Sequence, residues 1–287
     1  MILNIKGNRF NNKDFPLLLG ILNLTPDSFS DGGKYNSEYK ALKKVENYLN
    51  EDVDIIDIGA ESSRPSSKRI SLSEERKRLF PIVSKIKKNF DVIISLDTMK
   101  SEIAKEGFDK GIEIINDVSG FMYDSKMPNI IGKNNGAVIL NHTSALPETM
   151  QKNTEYKNIF NDIKSFFTNR IKKCIKNNIS DKSIILDPGI GFGKNTQQNI
   201  DLVKNVKKFK NFGLPIMYGV SNKKFLGEIL GIDDPNKRVN ASVITALLLL
   251  INGVNLLRVH NVKETKEMLN LWSCLLYTSD AADDRDS

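Results

Sequence analysis

The chain has 287 residues, 40% hydrophobic and 27% charged, with 9 Pro, 18 Gly and 2 Cys. That composition excludes a disordered, collagenous or low-complexity chain, and two cysteines exclude a disulfide framework, which points to a reducing, cytoplasmic compartment. Lys and Arg outnumber Asp and Glu by 42 to 35, a net charge of +7, which favours anionic partners; the lysines are scattered over helix-like stretches instead of being interleaved with aromatics, so small-molecule chemistry ranks above nucleic acid.

In chain order, MILNIKGNRF carries no secretory pattern, and 1–15 alternates weakly, as a hairpin closing the bottom of a barrel would. Eight short apolar, β-branched runs follow, at 17–24, 53–61, 92–98, 112–119, 136–143, 183–189, 215–221 and 255–261. Near-continuous hydrophobic runs mark parallel strands buried on both faces, and the amphipathic stretches between them predict helices. Eight such units predict a single α/β domain, a TIM (β/α)8 barrel, with an open doubly wound sheet as the structural rival. The connector 143–182 is expected to hold a loop and one helix near 157–177, and the connector 222–254 two helices. The second of these, ASVITALLLLING, is apolar on nearly every side, so it is either deeply buried or part of a subunit contact. Its run 246–251 is the longest apolar stretch and too short to cross a bilayer. From Cys274 onward the composition changes: no Lys follows Lys266 and Asp becomes dense. The domain is taken as 1–273, and 274–287 as a non-native read-through tail.

Polar residues gather at the C-terminal end of every strand candidate: Asn23, Glu61, Asp97, Asn116 with Asp117, Asn141 with His142, Asp187, Ser221, and Arg258 with His260. In a barrel these ends meet on the face where such folds place their chemistry. Loop-starting polarity accounts for Ser, Asn and Gly, but Asp97, Asp187, Arg258 and His260 lie in or beside apolar runs, where an unpaired polar group is costly. Asp97, Asp187 and Asn116 are acceptors suited to a heterocycle rich in N–H donors; salt bridging of the carboxylates is the structural alternative. No paired His or Cys motif supports a tight transition-metal site. Arg258 and His260, two apart on one strand, point to the same side and with Asn23, Ser63 and Arg64 would form an anion site at the rim. The run GIGFGK (189–194) lacks the spacing of a phosphate-binding glycine loop and reads as a flexible loop crossing the site; loop 25–37 reads as a lid.

Together the motifs GILNLTPDSFSDGG (20–33), DIGAESSRP (57–65), SLDT (95–98), INDVSG (115–120), LDPGIGFGK (186–194), SNKKFLG (221–227) and RVH (258–260) closely resemble the dihydropteroate synthase family, in the family's order. The resemblance implies a transferase that joins 6-hydroxymethyl-7,8-dihydropterin diphosphate to 4-aminobenzoate and releases diphosphate with Mg2+, in a homodimer built through late helices. It assigns the pterin to Asp97, Asn116, Asp187 and Lys223, and the diphosphate and Mg2+ to Asn23, Arg258 and His260. It assigns the aminobenzoate and sulfonamide pocket to Phe29, Ser63, Pro65 and Lys223, and the mobile first loop to Asp27 and Ser28. Asp97, Lys223, Asp187 and Arg258 are the implied catalytic set, with Asn23 toward the metal. Four positions depart from the pattern: Ala60 for Gly, Asn222 for Arg, Thr143 for Met and Asn261 for Asp. Asn222 changes the outer wall of the aminobenzoate pocket, and Thr143 is expected to loosen the pterin face. A pterin-binding methyltransferase and a non-catalytic pterin-binding subunit are the rival readings.

Overall fold

The computed structural model describes residues 1–25, 33–62, 67, 69–152 and 154–277. An antiparallel hairpin comes first, β1 (Ile2–Ile5) and β2 (Asn8–Asn11). Eight strands follow: β3 (Leu17–Asn23), β4 (Ile55–Gly59), β5 (Ile93–Asp97), β6 (Ile114–Asp117), β7 (Ala137–Asn141), β8 (Ile184–Asp187), β9 (Met217–Tyr218) and β10 (Leu256–Val259). From β3 to β8 each strand pairs in parallel with its successor, and β10 pairs with both β3 and β9. A parallel bridge between Leu186 and Ile216 brings β8 against the entrance of β9, so the ring closes and the open-sheet alternative falls.

Helices fill the crossovers: α1 (Gly33–Asn50), α2 (Leu72–Asn89), α3 (Ser101–Asp109), α4 (Met127–Lys133), α5 (Ile159–Lys176), α6 (Thr196–Lys204), α7 (Lys224–Leu230), α8 (Val239–Ile251) and α9 (Val262–Tyr277). Their starts are locally encoded. Ser71 accepts the Glu74 amide at 3.1 Å, and Asn195 with Gln198 forms a capping box, each satisfying amides that a helix start leaves open. The expected hairpin, the helix of 143–182 and the two helices of 222–254 are all present. The apolar helix α8 takes neither expected extreme alone: it buries Ala246, Leu249 and Leu250 and leaves Ile244, Leu248 and Ile251 exposed. The last helix runs to Tyr277, into the stretch set apart by composition, and 278–287 lie outside the described residues.

Two apolar layers hold the barrel. One lies between the ring and its helices, with Val45, Leu79, Val83, Ile103, Phe167 and Leu249 fully enclosed. The other fills the N-terminal end of the barrel itself: Leu19, Ile55, Ile114, Ile139, Ile185, Met217 and Leu256 meet Leu3 and Ile5 from β1. The hairpin is therefore a plug, as expected, and the barrel's opposite end is left for polar side chains.

Candidate active site

Alternate side chains on a strand face opposite ways. Leu19, Ile55, Ile114, Ile139, Ile185 and Leu256 point inward, so Asn23, Asp57, Asn116, Asn141, Asp187 and Arg258, two or four residues further on, point inward as well. The parallel register places Asn23 beside Gly59, Gly59 beside Asp97, and Asp97 beside Asn116. Seven crossovers thus deliver acceptors from separate parts of the chain to one end of one ring.

Arg258 is the hub. Its Nε donates to Asp57 Oδ2 at 2.6 Å and its Nη2 to Asp97 Oδ2 at 2.9 Å. Asp57, fully buried, also accepts the Ser95 hydroxyl at 2.6 Å and the Asn116 amide at 3.3 and 3.4 Å. That last bond turns Asn116 so that its Oδ1 is buried with no hydrogen-bond partner among the described residues. Asp187 accepts the Gly189 amide through Oδ1 at 2.8 Å, and no donor among the described residues bonds its other oxygen. Lys223 lies with Nζ 4.5 Å from the centre of the Phe192 ring. Asn116, Val118, Asn141, Asp187, Ile190, Phe192, Gly219, Lys223 and Arg258 line one cleft at this end of the barrel.

The electrostatics follow from burying several charges together. Burial pushes the Asp97 carboxyl up to about 8, with Asp57 adding to the rise and Arg258 opposing it. Two carboxylates share one guanidinium, and Asp57 holds the better set of donors, so the upward push falls on Asp97. Burial raises Asp187 against the pull of the Gly189 amide and Lys223. Burial, reinforced by Arg258, draws the Lys223 ammonium down to about 8 while Asp187 and Asp97 resist. For Arg258, burial is outweighed by Asp57 and Asp97, which hold it firmly cationic. Perturbed groups converging on one cleft are the usual mark of a reactive site.

Of the expected site residues, Asn116, Asp187, Lys223 and Arg258 come together at the cleft. Asp97 sits behind Arg258, paired to it, so the salt-bridge alternative holds for Asp97 in this state. Arg258 is turned inward to the carboxylates, its side chain 14% exposed, and is not splayed at a rim. His260 keeps the inward parity and places Nδ1 3.3 Å from Ser221 Oγ. Asn23 ends β3 and makes no side-chain hydrogen bond among the described residues. Phe29, Ser63, Arg64 and Pro65, with Asp27 and Ser28 and most of the expected 25–37 lid, lie outside the described residues. Sequence reasoning passed over Asp57 and Ser95, and gave Asn141 a place at a strand end but no ligand. Asp57 carried the same signal as Asp97, a carboxylate inside an apolar run.

The 189–194 loop crosses the cleft as expected, but it is pinned rather than flexible. The Gly191 amide donates to Asn199 Oδ1 at 2.8 Å, Tyr156 donates to the Gly193 carbonyl at 2.9 Å, and Gln151 to that of Gly191 at 2.7 Å. Gly189 has φ +73°, and a Cβ there would strike the His142 carbonyl, so only glycine lets this loop lie on the end of β7. Thr143 does not loosen the wall. It is buried, donates to the Ala145 carbonyl at 2.6 Å, and sits beside Met150, which packs on Val118 and Phe192. Asn222 has φ +58°, a conformation in which Asn is far more at ease than Arg.

Comparison with known proteins agrees with this arrangement. Residues 19–260 match the family model described as pterin binding enzyme. The dihydropteroate synthase of Escherichia coli strain K12 is 37% identical over 256 residues, 89% of this chain and 90% of the relative. Among solved structures, the Yersinia pestis dihydropteroate synthase in complex with a sulfonamide drug matches with a TM-score of 0.89 at 34% identity, covering 98% of this chain and 100% of that one. The Xanthomonas albilineans dihydropteroate synthase with 4-aminobenzoic acid matches with a TM-score of 0.89 at 30% identity, covering 96% and 97%.

Proposed function

This chain belongs to the dihydropteroate synthase family of pterin-binding enzymes, and from that premise we propose how its cleft divides the work of the reaction. The activity is dihydropteroate synthase, a transferase that condenses 6-hydroxymethyl-7,8-dihydropterin diphosphate with 4-aminobenzoate. One observation carries the assignment of the cleft to the pterin: Asn116 Oδ1 is buried without a partner among the described residues, in the same wall as Asp187 and Lys223. An unmet buried acceptor is costly until a ligand donor meets it. A pterin edge offers such donors in a row to Asn116 and Asp187, and its carbonyl accepts from Lys223.

In the reaction the bond from the exocyclic carbon to the diphosphate oxygen breaks and diphosphate leaves with the electron pair. The aryl amine nitrogen then bonds to that carbon and gives up one proton. The positive charge that develops on the pterin is met by Asp187 and, in its ionised form, by Asp97. Arg258 and His260 hold the anion, and Lys223 positions the ring and the amine. Phe29, Ser63, Arg64 and Pro65 belong to the aminobenzoate and anion side on the strength of the motifs alone.

Mg2+ fits Asn23 in one specific sense. The Asn23 amide makes no hydrogen bond among the described residues, and these hold no cluster of three or more His, Cys, Asp or Glu side chains. Mg2+ commonly takes few protein ligands and keeps waters and phosphate oxygens. Asn23 would hold it, and the ion would supply charge to the departing diphosphate.

A homodimer would cover the exposed Ile244, Leu248 and Ile251 of α8 with Leu271 and Leu275 of α9; Leu248→Glu sedimenting unchanged beside the wild type would refute that contact. No described helix is long and apolar enough to cross a membrane, and the buried Cys174 suits a reducing cytoplasm. The decisive experiment follows diphosphate release with pterin diphosphate, 4-aminobenzoate and Mg2+ each omitted in turn. Release independent of 4-aminobenzoate would exclude the transfer reaction.

A further inference from the structure

Lys194 is buried and bears an amine that the reaction above does not use. Its Nζ lies 2.8 Å from the Gly189 carbonyl oxygen, 2.9 Å from that of Phe192, 3.3 Å from that of His142 and 3.0 Å from His142 Nδ1. A lysine ammonium only donates, so the His142 Nδ1 accepts and the ring proton sits on Nε2. Gly189 and Phe192 are the two ends of a turn that the Phe192 amide closes by donating to the Gly189 carbonyl at 3.1 Å. His142 follows the end of β7 directly. One enclosed cation therefore ties both ends of the turn to the neighbouring strand. An apolar side chain would fill the space and leave these carbonyls without their donor. Burial draws the Lys194 ammonium down to about 7 while Asp187 resists. The His142 ring is held well below the usual histidine range by burial and by Lys194 itself. The His142 direction agrees with a neutral ring accepting at Nδ1, while the three carbonyls and that nitrogen, all accepting from Lys194, favour its ammonium form against the burial.

The turn carries part of the cleft wall. Phe192 stacks under the Lys223 ammonium at 4.5 Å. A side chain placed at Gly191 would meet Lys223 Cδ at 3.5 Å, so the bare backbone of Gly191 lies along the Lys223 stem. Where this turn sits decides where Lys223 points. We propose that Lys194 is a positioning residue: its buried ammonium holds the 189–192 turn so that Gly191 and Phe192 aim Lys223 at the pterin edge.

The inference rests on the reading that the cleft takes a pterin, and the test separates the two. Calorimetry of 6-hydroxymethyl-7,8-dihydropterin diphosphate on the whole protein compares wild type, Lys194→Met, Phe192→Ala and the double variant. Displacing a positioned group costs roughly 10- to 100-fold, so each single change is expected to weaken binding about 10-fold. Because both act through one contact, the double variant is expected within about 3-fold of the weaker single. Wild-type affinity in Lys194→Met, or losses that multiply in the double variant, overturn the proposal. If Lys194→Met gives no cooperative melt, Lys194→Gln, one bond shorter and with only two N–H donors for the four acceptors, takes its place under the same two outcomes. Wild-type protein that fails to bind the pterin refutes the function instead.

Discussion

Substituting Asp57 by Asn tests the charge arrangement at the bottom of the cleft. In the wild type one guanidinium serves two carboxylates, at 2.6 Å from Asp57 and 2.9 Å from Asp97, and Asp97 keeps its proton up to about 8 instead of near 3.8. The unfolded chain releases that proton near 3.8 and the folded chain near 8, so between those values the folded state binds more protons. Stability is therefore greatest at the acid side of the window and falls as pH rises through it, by at most about 1.4 kcal/mol per pH unit. The Asp57→Asn change removes one negative charge, leaves Arg258 wholly to Asp97, and lets Asp97 ionise at lower pH. The pair Asp97–Arg258 then replaces Asp57–Arg258, so the variant loses about 1–3 kcal/mol, the value of hydrogen bonds to charged groups. Full breakage of a buried ion pair would lose about 3–5 kcal/mol. The loss should also shrink by about 1–2 kcal/mol between pH 6 and pH 8, because only the wild type is still climbing toward the ionisation of Asp97. Urea unfolding of both proteins at pH 6, 7 and 8 measures this. A difference that stays constant with pH would refute the shared-guanidinium account, as would a loss beyond about 5 kcal/mol.

Asn116→Leu should keep a cooperative melt but weaken pterin binding by about 10- to 100-fold in calorimetry, since it removes the unmet acceptor of the wall. Lys223 titrates near 8, so kcat/KM should fall as pH rises through about 8, and Lys223→Arg, which cannot lose its proton, should remove that limb whatever its absolute rate; the same limb in the variant would take the role from Lys223. Leu3→Ala opens the fully buried plug and should lower stability by about 2–5 kcal/mol while leaving the specific activity of folded enzyme unchanged, as urea unfolding and a paired assay would show. Above pH 8, where the wild-type Asp97 is ionised, Asp97→Asn should lower turnover about 100-fold or more with little change in KM, as loss of a preorganised electrostatic group does.

The ring of strands was legible because its signal is repetitive. Each run from 17–24 to 255–261 is apolar on both faces, and a strand such as β4, buried at every position, can only sit inside a helix-covered parallel sheet. The plug was legible for a different reason, the weak alternation that puts Leu3 and Ile5 on one face of β1. The behaviour of α8 was not: a helix apolar all round gives no direction for its buried side, and only packing against the barrel decided that Leu249 goes in and Leu248 stays out. Nor was the rigidity of the 189–194 loop, because three glycines read as freedom, whereas here they permit close backbone approach that side chains at 151, 156 and 199 then fix.

For the site, sequence showed which residues point inward but not which of them pair. Parity along a strand is a local property, readable from an apolar neighbour two residues away, and it places Asp57, Asp97, Asn116, Asp187 and Arg258 in one lumen. Pairing depends on the register between strands that lie far apart in the chain, such as those of Asp57 and Arg258. Yet the pairing governs the chemistry. The carboxyls of Asp57, Asp97 and Asp187 are buried beside the cations Arg258 and Lys223, so each charge in the cleft has an opposite partner within the lumen. A flat uncharged ring can enter such a cleft without meeting an uncompensated buried charge. The anion it carries finds its cation already present but engaged, so diphosphate and Asp97 compete for the same guanidinium.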